Sequence, residues 1–274
     1  MNFSAIVRGW CLLILFLATF GLVAIPALYL RILRDRLGRV TLAIHRARIG
    51  VFMTDVSSRV MMATCRLMQM RTEYHLPDSV RSYKGPLLII ANHHNSLDIC
   101  LLLHLMRLLG RTNIRWLLKD SLRYVPGIGR VNREAGSVFV SKHRELTALR
   151  NVRRMAIQAK EEQAAVLLFP EGRLFRRAEP GSGFEHVLTP ARGAFVTLRK
   201  TLSDYPVLSL TIDWRGAHGI KSIFAVSNFY RCHLVVTGQL FLNLNGQSPE
   251  SWLIDEWRRK DQALTPYKPN FTGV

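Results

Sequence analysis

Short apolar runs that end in polar turns alternate with longer amphipathic segments through the C-terminal two thirds of the chain. Runs of about four to eight apolar residues between turn residues are typical of buried strands, and the longer segments are typical of helices. The predicted strands cover residues 87–91, 114–118, 137–141, 164–169, 207–214, 223–228 and 233–244. The predicted helices cover residues 99–109, 145–163, 191–202 and 252–264. This alternation favours one α/β domain in which a mixed sheet is flanked by helices.

The N-terminal part of the chain follows a different pattern. No charged residue occurs in residues 10–30, and a helix of about 21 residues is roughly 31 Å long, enough to span a bilayer. Four arginines follow, namely Arg31, Arg34, Arg36 and Arg39. By the positive-inside rule they put the bulk of the chain on the cytoplasmic side of the inner membrane. Because Pro26 permits a kink, a re-entrant hairpin in one leaflet remains an alternative to a full span.

Residues 40–70 mix apolar side chains with four arginines. This pattern predicts one or two basic amphipathic helices, typical of segments that lie on an anionic membrane surface. Helices that pack on the protein core and leave their arginines in solvent would give the same pattern, so both interpretations remain open. The predicted organisation is a membrane anchor at 1–39, interfacial helices at 40–80 and a catalytic domain at 81–274.

Charge narrows the choice of partners. The chain has 274 residues, a formal net charge of +19 and a pI near 10.7, and its length allows one large domain with an appendage. So strong a positive charge favours a membrane surface, a nucleic acid or a phosphate-bearing substrate. Because an apolar N-terminal segment is present and no nucleic-acid recognition motif stands out, anionic membrane lipids are the expected partner and nucleic acid is not.

The cysteines give no sign of a structural or metal site. Cys11, Cys65, Cys100 and Cys232 are scattered without paired spacing. They predict neither a disulfide framework nor a zinc site, and a reducing compartment is the simpler interpretation. A metal site built from His93, His94 and Asp98 would lack a further convergent ligand, so no metal is expected.

A histidine and an acid, His93 and Asp98, lie five residues apart after the predicted strand 87–91. Along one continuous helix, five residues would leave two side chains about 140° apart. They can therefore meet only if a helix begins between them, and Asn95 and Ser96 are good N-cap residues for that start. The carboxylate would then fix the imidazole tautomer, leaving the other ring nitrogen as a general base. Backbone N–H groups at the helix start after Asn95 are candidate donors to an oxyanion.

A second predicted strand, at 164–169, also ends in a polar turn, which contains Glu171. Strands of an α/β sheet that each deliver polar groups at their carboxyl ends suggest one site at one edge of the sheet. The turns of His93 and Glu171 are therefore expected to lie together.

Four blocks of sequence carry a resemblance to a known family. Asn92, His93 and Asp98 form an Asn-His-x4-Asp motif, and Phe169-Pro170-Glu171-Gly172 forms a Phe-Pro-Glu-Gly block. Between them lie residues 119–129 and 138–142, and the C-terminal block is 252–261. In this order the blocks resemble the glycerophospholipid acyltransferase family, which includes the lysophosphatidic acid acyltransferases. The C-terminal block is similar to the tail of the branch that contains the lysocardiolipin acyltransferases and their bacterial relatives.

The resemblance implies a membrane-bound enzyme that moves a fatty acyl group from an acyl thioester to the free hydroxyl of a lysophospholipid. The implied acceptor is 1-acyl-glycerol-3-phosphate, which gives phosphatidic acid, and the donor is acyl-CoA or acyl-carrier protein, with no cofactor. His93 would be the general base and Asp98 its partner. The implied substrate-binding residues are Lys119, Lys142, Arg144, Glu171, Gly172 and Arg173. Among these, Lys142, Arg144 and Arg173 are candidate phosphate contacts, and Glu171 would orient one of them.

Two departures from the family pattern concern the head group. The third block usually contains Glu-Gly-Thr-Arg, whereas this chain has Glu171-Gly172-Arg173-Leu174, with the arginine one place early. The second block usually ends in arginine, and Lys142 stands there. Lysine keeps the charge but lacks the bidentate fork of arginine, so it would meet a head-group phosphate as a point charge.

Two other functions fit parts of the sequence. His93, His94 and Asp98 also match the His-His-x3-Asp motif of the chloramphenicol acetyltransferase and condensation-domain group, in which the second histidine is the base and the acceptor is not a lipid. That group has no role for the Phe-Pro-Glu-Gly block, and the glycine that commonly follows its aspartate is Ile99 here. A non-catalytic, basic protein that binds membrane surfaces is the alternative outside enzymes.

Overall fold

The computed structural model describes residues 3–141, 145–216 and 229–264. The strands are β1 (Arg71–His75), β2 (Leu88–Ala91), β3 (Ile114–Lys119), β4 (Val138–Val140), β5 (Ala165–Leu168), β6 (Val207–Arg215) and β7 (His233–Phe241). The helices are α1 (Phe3–Ala18), α2 (Ile25–Leu37), α3 (Leu42–Leu67), α4 (Asp78–Ser82), α5 (Leu97–Leu108), α6 (Ile128–Glu134), α7 (Glu145–Glu161), α8 (Arg192–Thr201) and α9 (Pro249–Ala263). A π-helical segment, Thr19–Ala24, joins α1 to α2, and a 3₁₀ helix, Asp120–Tyr124, follows β3.

The described strands form one seven-stranded sheet in the order β1-β7-β6-β2-β5-β3-β4. Strands β6, β2, β5, β3 and β4 are parallel, whereas β7 is antiparallel to β6 and parallel to β1. The predicted mixed α/β sheet is therefore confirmed. Because parallel strands end at the same edge, the chain leaves β2, β5, β3 and β6 on one side of the sheet, where ligands bind in open α/β folds.

Helices cover both faces of the sheet. Leu88 and Ile90 pack toward α7, α8 and α9, while Leu87, Ile89 and Ala91 pack toward α3 and α5. All five side chains are fully buried, which explains the continuous apolar run that is typical of a strand covered on both faces. Burial of each larger apolar side chain stabilises the fold by about 1.5–3 kcal/mol. The packing of this central strand therefore holds the turn that follows it in a fixed position.

The N-terminal helices lie against the rest of the protein and also expose apolar side chains. Residues Ser4–Leu37 form one helical stretch of 34 residues that is long and apolar enough to cross a membrane. One side of it is buried through Leu12, Ala24, Leu28 and Ile32. The opposite side exposes Trp10, Ile14, Leu22, Val23, Leu30 and Leu33, and Leu22 is 77% exposed.

Residues predicted as one or two amphipathic helices form the single helix α3. Its buried face includes Ile49, Met53 and Met61, and Gly50 lies so close to the Thr112 carbonyl that a Cβ there would stand 2.1 Å from its oxygen. The core-packing interpretation of this segment is therefore correct for one face. The other face leaves Leu42, Ile44, Val51 and Met62 exposed, which keeps the interfacial interpretation open.

Strand β1 corrects the expectation of helices throughout residues 40–80. Residues 71–75 contain one apolar side chain, Tyr74, so the hydrophobic pattern gives no strand signal there. An edge strand pairs with a single neighbour, here β7, and it forms without a buried apolar face. The predicted strand 223–228 lies outside the described residues.

Candidate active site

The turn between β2 and α5 carries the Asn-His-x4-Asp motif. Asn92 fixes its exit from the sheet, because its side-chain Nδ2 donates to the Ile212 carbonyl at 2.9 Å and its Oδ1 accepts from Ile212 N at 2.8 Å. Helix α5 begins at Leu97, and Asn95 Oδ1 accepts the Leu97 N–H at 2.7 Å. The helix thus begins between His93 and Asp98, as the spacing predicts.

Asp98 is fully buried and accepts four N–H groups. His93 Nδ1 lies 3.0 Å from its Oδ2, which also accepts the backbone N–H groups of His94 at 2.7 Å and Asn95 at 2.9 Å. Its Oδ1 accepts from Trp214 Nε1 at 2.8 Å. The four donors thus satisfy both oxygens of this buried carboxylate. Among the amides after Asn95 that were predicted as oxyanion donors, the Leu97 N–H already donates to Asn95 Oδ1 and the Asp98 N–H to the Asn95 carbonyl at 3.2 Å, so the prediction is wrong for these two.

The imidazole of His93 is held on two sides. With Asp98 accepting from Nδ1, the lone pair for proton transfer resides on Nε2. The ring stacks on Phe169, with centroids 4.1 Å apart and planes inclined by 21°. The side chain keeps 14% of its surface exposed, so the ring is fixed in orientation while remaining within reach of a substrate.

Trp214 is a site residue that the sequence analysis missed. It lies near the end of β6 and is 116 residues from Asp98 along the chain. Its indole N–H satisfies the one oxygen of Asp98 that the local turn does not contact. No spacing rule relates the two residues, and only the adjacency of β6 and β2 brings them together.

Trp214→Phe should lower kcat about 10-fold, because a hydrogen bond to a charged group contributes about 1.5–3 kcal/mol and Asp98 Oδ1 would be left buried without its donor. Steady-state kinetics and thermal unfolding test this expectation. Trp257→Phe is the matched control, since Trp257 is also buried and its indole N–H has no hydrogen-bond partner among the described residues. Equal kcat values for the two variants would contradict a role for the Trp214 N–H.

Glu171 lies in the turn after β5 and faces the His93 turn. Its Oε1 accepts from His93 N at 3.2 Å and its Oε2 accepts from Leu188 N at 3.3 Å. Burial raises the pKa of Glu171 to about 8, against the lowering effect of these two backbone donors. Protonation near neutral pH avoids a second negative charge beside Asp98. The turns of His93 and Glu171 meet, as predicted.

Arg173 points away from this buried group. Gly172 adopts a positive φ of 63°, which turns the chain outward after Glu171. The Arg173 side chain is 58% exposed and pairs with Glu179. The expectation that Glu171 orients a basic side chain therefore does not hold for Arg173.

The other candidate phosphate contacts are only partly described. Lys119 is exposed at the carboxyl end of β3. Lys142 and Arg144 lie outside the described residues. The structure thus brings His93, Asp98 and Glu171 together and leaves Lys119 and Arg173 at the surface.

His94 occupies a half-buried position in the turn. Its Nε2 lies 3.0 Å from the His186 carbonyl, to which it donates, and its ring is tilted against Phe175. Burial lowers the pKa of His94 despite the nearby charge of Asp98. A neutral ring whose Nε2 proton is donated to a carbonyl is poorly suited to accept a proton from a substrate.

Within residues 3–141, 145–216 and 229–264, no group of three or more His, Cys, Asp or Glu side chains is arranged to hold a metal ion. The described part of the site therefore consists of a His–Asp pair, a buried glutamate and exposed cations.

A mixed α/β sheet with a histidine–carboxylate pair at its carboxyl edge defines a class of protein with the geometry for general-base chemistry on a bound hydroxyl. Residues 71–213, more than half of the chain, match the Acyltransferase family model. The chain belongs to this acyltransferase family.

A solved structure agrees with that assignment at the level of the fold. The chain is similar to the 1-acyl-sn-glycerophosphate (LPA) acyltransferase PlsC from Thermotoga maritima, with a TM-score of 0.60 and 16% sequence identity. The similarity covers 94% of this chain and 93% of that one. No curated protein matches the sequence.

Proposed function

We propose that the protein transfers a fatty acyl group from an acyl thioester to the free hydroxyl of 1-acyl-glycerol-3-phosphate, giving phosphatidic acid. The observation that carries the proposal is the contact between His93 Nδ1 and the buried Asp98 carboxylate, within a member of the acyltransferase family. The T. maritima enzyme, whose fold is similar, is an LPA acyltransferase, which supports this choice of acceptor.

In the proposed reaction, His93 Nε2 removes the proton of the acceptor hydroxyl as its oxygen attacks the thioester carbonyl carbon. The tetrahedral intermediate collapses with cleavage of the carbon–sulfur bond, and the imidazolium returns the proton to the departing thiolate. The products are an ester and a free thiol. Asp98 stabilises the imidazolium throughout, and no covalent enzyme intermediate is required. General-base assistance of this kind contributes about 10²–10⁴-fold.

The acceptor phosphate is proposed to bind the cations of the second and third blocks, which are Lys119, Lys142, Arg144 and Arg173. Lys119 and Arg173 end or follow strands β3 and β5, whose carboxyl ends share an edge of the sheet with the His93 turn. The net charge of +19 also favours an anionic substrate.

Arg173→Ala should raise the apparent KM for 1-acyl-glycerol-3-phosphate about 10-fold or more, because one charge-assisted contact contributes about 1.5–3 kcal/mol. The KM for the thioester donor should change much less. Arg177→Ala is the control, since Arg177 is an exposed arginine of the same loop. An unchanged acceptor KM in Arg173→Ala would mean that the phosphate is held by other cations, with Lys119, Arg144 and Arg192 next to test.

Membrane attachment is proposed to use the exposed apolar side of the Ser4–Leu37 helix together with the exposed face of α3. The arginines that follow the apolar run favour a catalytic domain on the cytoplasmic side of the inner membrane. Burial of apolar surface does not depend on ionic strength, whereas attraction between exposed charges is screened over about 8–10 Å.

The full-length protein should therefore remain with the membrane fraction after a high-salt wash and be released by detergent. The double substitution Leu22→Asp and Leu30→Asp, on the exposed side of the helix, should increase the fraction released, because each charge costs about 2.5–3.5 kcal/mol at the centre of a membrane helix. Immunoblotting of washed membranes measures this. Complete release of the unaltered protein by salt alone would refute the apolar anchor.

The proposed activity is tested with purified full-length protein in vesicles, given a panel of lysolipids with acyl-CoA or acyl-carrier protein donors. Mass spectrometry of the products identifies the acceptor, the donor and the chain length. Formation of phosphatidic acid from one of the donors is the expected result. A different acylated lysolipid would correct the acceptor, and no acylation with any pair would favour the non-catalytic membrane-binding alternative.

A further inference from the structure

The last turn of α9 contains an acid where the helix dipole disfavours one. Carbonyl groups at a helix C-terminus make cations favourable and anions unfavourable there, yet Asp261 occupies that turn. Its carboxylate accepts three consecutive backbone N–H groups: Glu185 at 3.1 and 3.0 Å, His186 at 2.6 Å and Val187 at 3.1 Å. Residues that contradict the preference of their local structure are expected at functional positions. The unfavourable interaction of Asp261 with the helix dipole is offset by its hydrogen bonds to residues 185–187, a segment distant in sequence.

That segment contacts the His93 turn at two points. The His186 carbonyl accepts from His94 Nε2 at 3.0 Å. Two residues further on, Leu188 N donates to Glu171 Oε2 at 3.3 Å, and the other oxygen of Glu171 accepts from His93 N at 3.2 Å. Residues 185–188 therefore lie between Asp261 on one side and the catalytic turn on the other.

Helix α9 is held in place without Asp261. Its buried side chains Trp252, Leu253 and Trp257 belong to the core on this face of the sheet. The fully buried Lys260 donates through Nζ to the Leu210 carbonyl at 2.5 Å, and Glu256 accepts from Ser209 Oγ at 2.5 Å. Loss of the Asp261 carboxylate would thus release residues 185–187 while α9 stays docked.

We infer that Asp261 is a positioning residue: by fixing residues 185–188 it fixes His94 and Glu171, and through them the orientation of His93. This inference rests on the proposed function of the His93 turn. Because the Asp261 carboxylate reaches the His93 turn only through residues 185–188, its loss should lower kcat and leave both KM values nearly unchanged. Small displacements of a catalytic group are sufficient, since a misplacement of about 1 Å can lower a rate about 100-fold.

The first test compares Asp261→Ala and Asp261→Asn with Asp255→Ala. Asp255 is an acid of the same helix in an exposed ion pair with Arg258 at 3.0 Å. Asp261→Ala should lower kcat about 10-fold or more, with both KM values within about twofold of the unaltered protein. Asp261→Asn keeps one acceptor oxygen and the same shape, so its kcat should lie between those of Asp261→Ala and the unaltered protein. This variant also provides the test if Asp261→Ala does not fold. Asp255→Ala should leave kcat unchanged, and an Asp261→Asn variant that folds with unaltered kcat would overturn the inference.

The second test asks whether Asp261 acts through the proposed contacts. If it does, Asp261→Ala in a His94→Ala background should lower kcat much less than it does alone, because the double-mutant cycle reports a shared interaction. Fully additive losses would overturn the inference. Hydrogen exchange by mass spectrometry gives a readout without activity: peptides covering 185–188 and 92–98 should both exchange faster in Asp261→Ala. Unchanged exchange at 92–98 in Asp261→Ala would also overturn the inference. A different outcome would refute only the proposed function: the unaltered protein acylates no lysolipid, yet Asp261→Ala speeds exchange at both 185–188 and 92–98.

Discussion

His93→Ala should lower kcat for acyl transfer by about 10²–10⁴-fold, which is the usual contribution of a general base. His93 is the histidine whose Nδ1 meets the Asp98 carboxylate and whose ring keeps some exposure beside Phe169. Among the described residues, no other imidazole contacts the Asp98 carboxylate, so His93→Ala removes the proposed general base. The fold should persist, because the backbone contacts of the turn made by His94 and Asn95 do not use the His93 ring.

The matched comparison is His94→Ala. His94 is half-buried and donates to the His186 carbonyl, so its loss should disturb the turn and lower kcat about 10-fold at most. Single-turnover kinetics with saturating donor separates the chemical step from substrate binding in both variants. An inactive His94→Ala together with an active His93→Ala would reverse the assignment and favour the His-His-x3-Asp mechanism.

Asp98→Asn should lower kcat by about 10³–10⁴-fold, comparable to the loss when the aspartate of a Ser-His-Asp triad is replaced by asparagine. Two effects combine. Asparagine cannot balance the imidazolium, and its NH₂ group would replace one of two oxygens that together accept four N–H groups. Each buried donor left without an acceptor costs about 1–3 kcal/mol, so the free energy of unfolding should also decrease.

Asp204→Asn is the control for this change, because Asp204 forms an exposed ion pair with Lys160 at 2.8 Å and lies far along the chain from the motif. Thermal unfolding should show a clear loss of stability for Asp98→Asn and almost none for the control. Kinetics on the folded fraction of Asp98→Asn then gives its catalytic loss. A folded variant with more than about a third of the original kcat would show that Asp98 is not the partner of the base.

Much of the site was predictable because its central pair is local in sequence. His93 and Asp98 are five residues apart, so their side chains can meet only if a helix begins between them, and Asn95 and Ser96 are residue types that favour such a start. The continuous apolar runs before His93 and Glu171 likewise predict the strands that place both turns at one edge. At these positions the structure that the local sequence pattern predicts is the one that forms in the folded protein.

The residues that the sequence analysis missed are joined by contacts distant in sequence. Trp214 meets Asp98 across 116 residues, and Asp261 meets His186 across 75. Such pairs depend on which strands and helices become neighbours, and hydrophobic periodicity carries no information about that. Strand β1 was not predicted for another reason. It is an edge strand of mostly polar residues, so its sequence has no alternation of apolar and polar residues that would indicate a strand.

The packing of the N-terminal helix limits which sequences could replace it. Leu12 belongs to the same hydrophobic core as Leu101 and Leu210, and Phe20 and Ile25 contact Gly127, where a Cβ would stand 2.9 Å from Ile25. A helix built into the core in this way is not an interchangeable leader. Its side chains have to fit the turn they cover, so replacing residues 4–37 by an apolar helix of unrelated sequence would leave an unfilled surface beside Gly127.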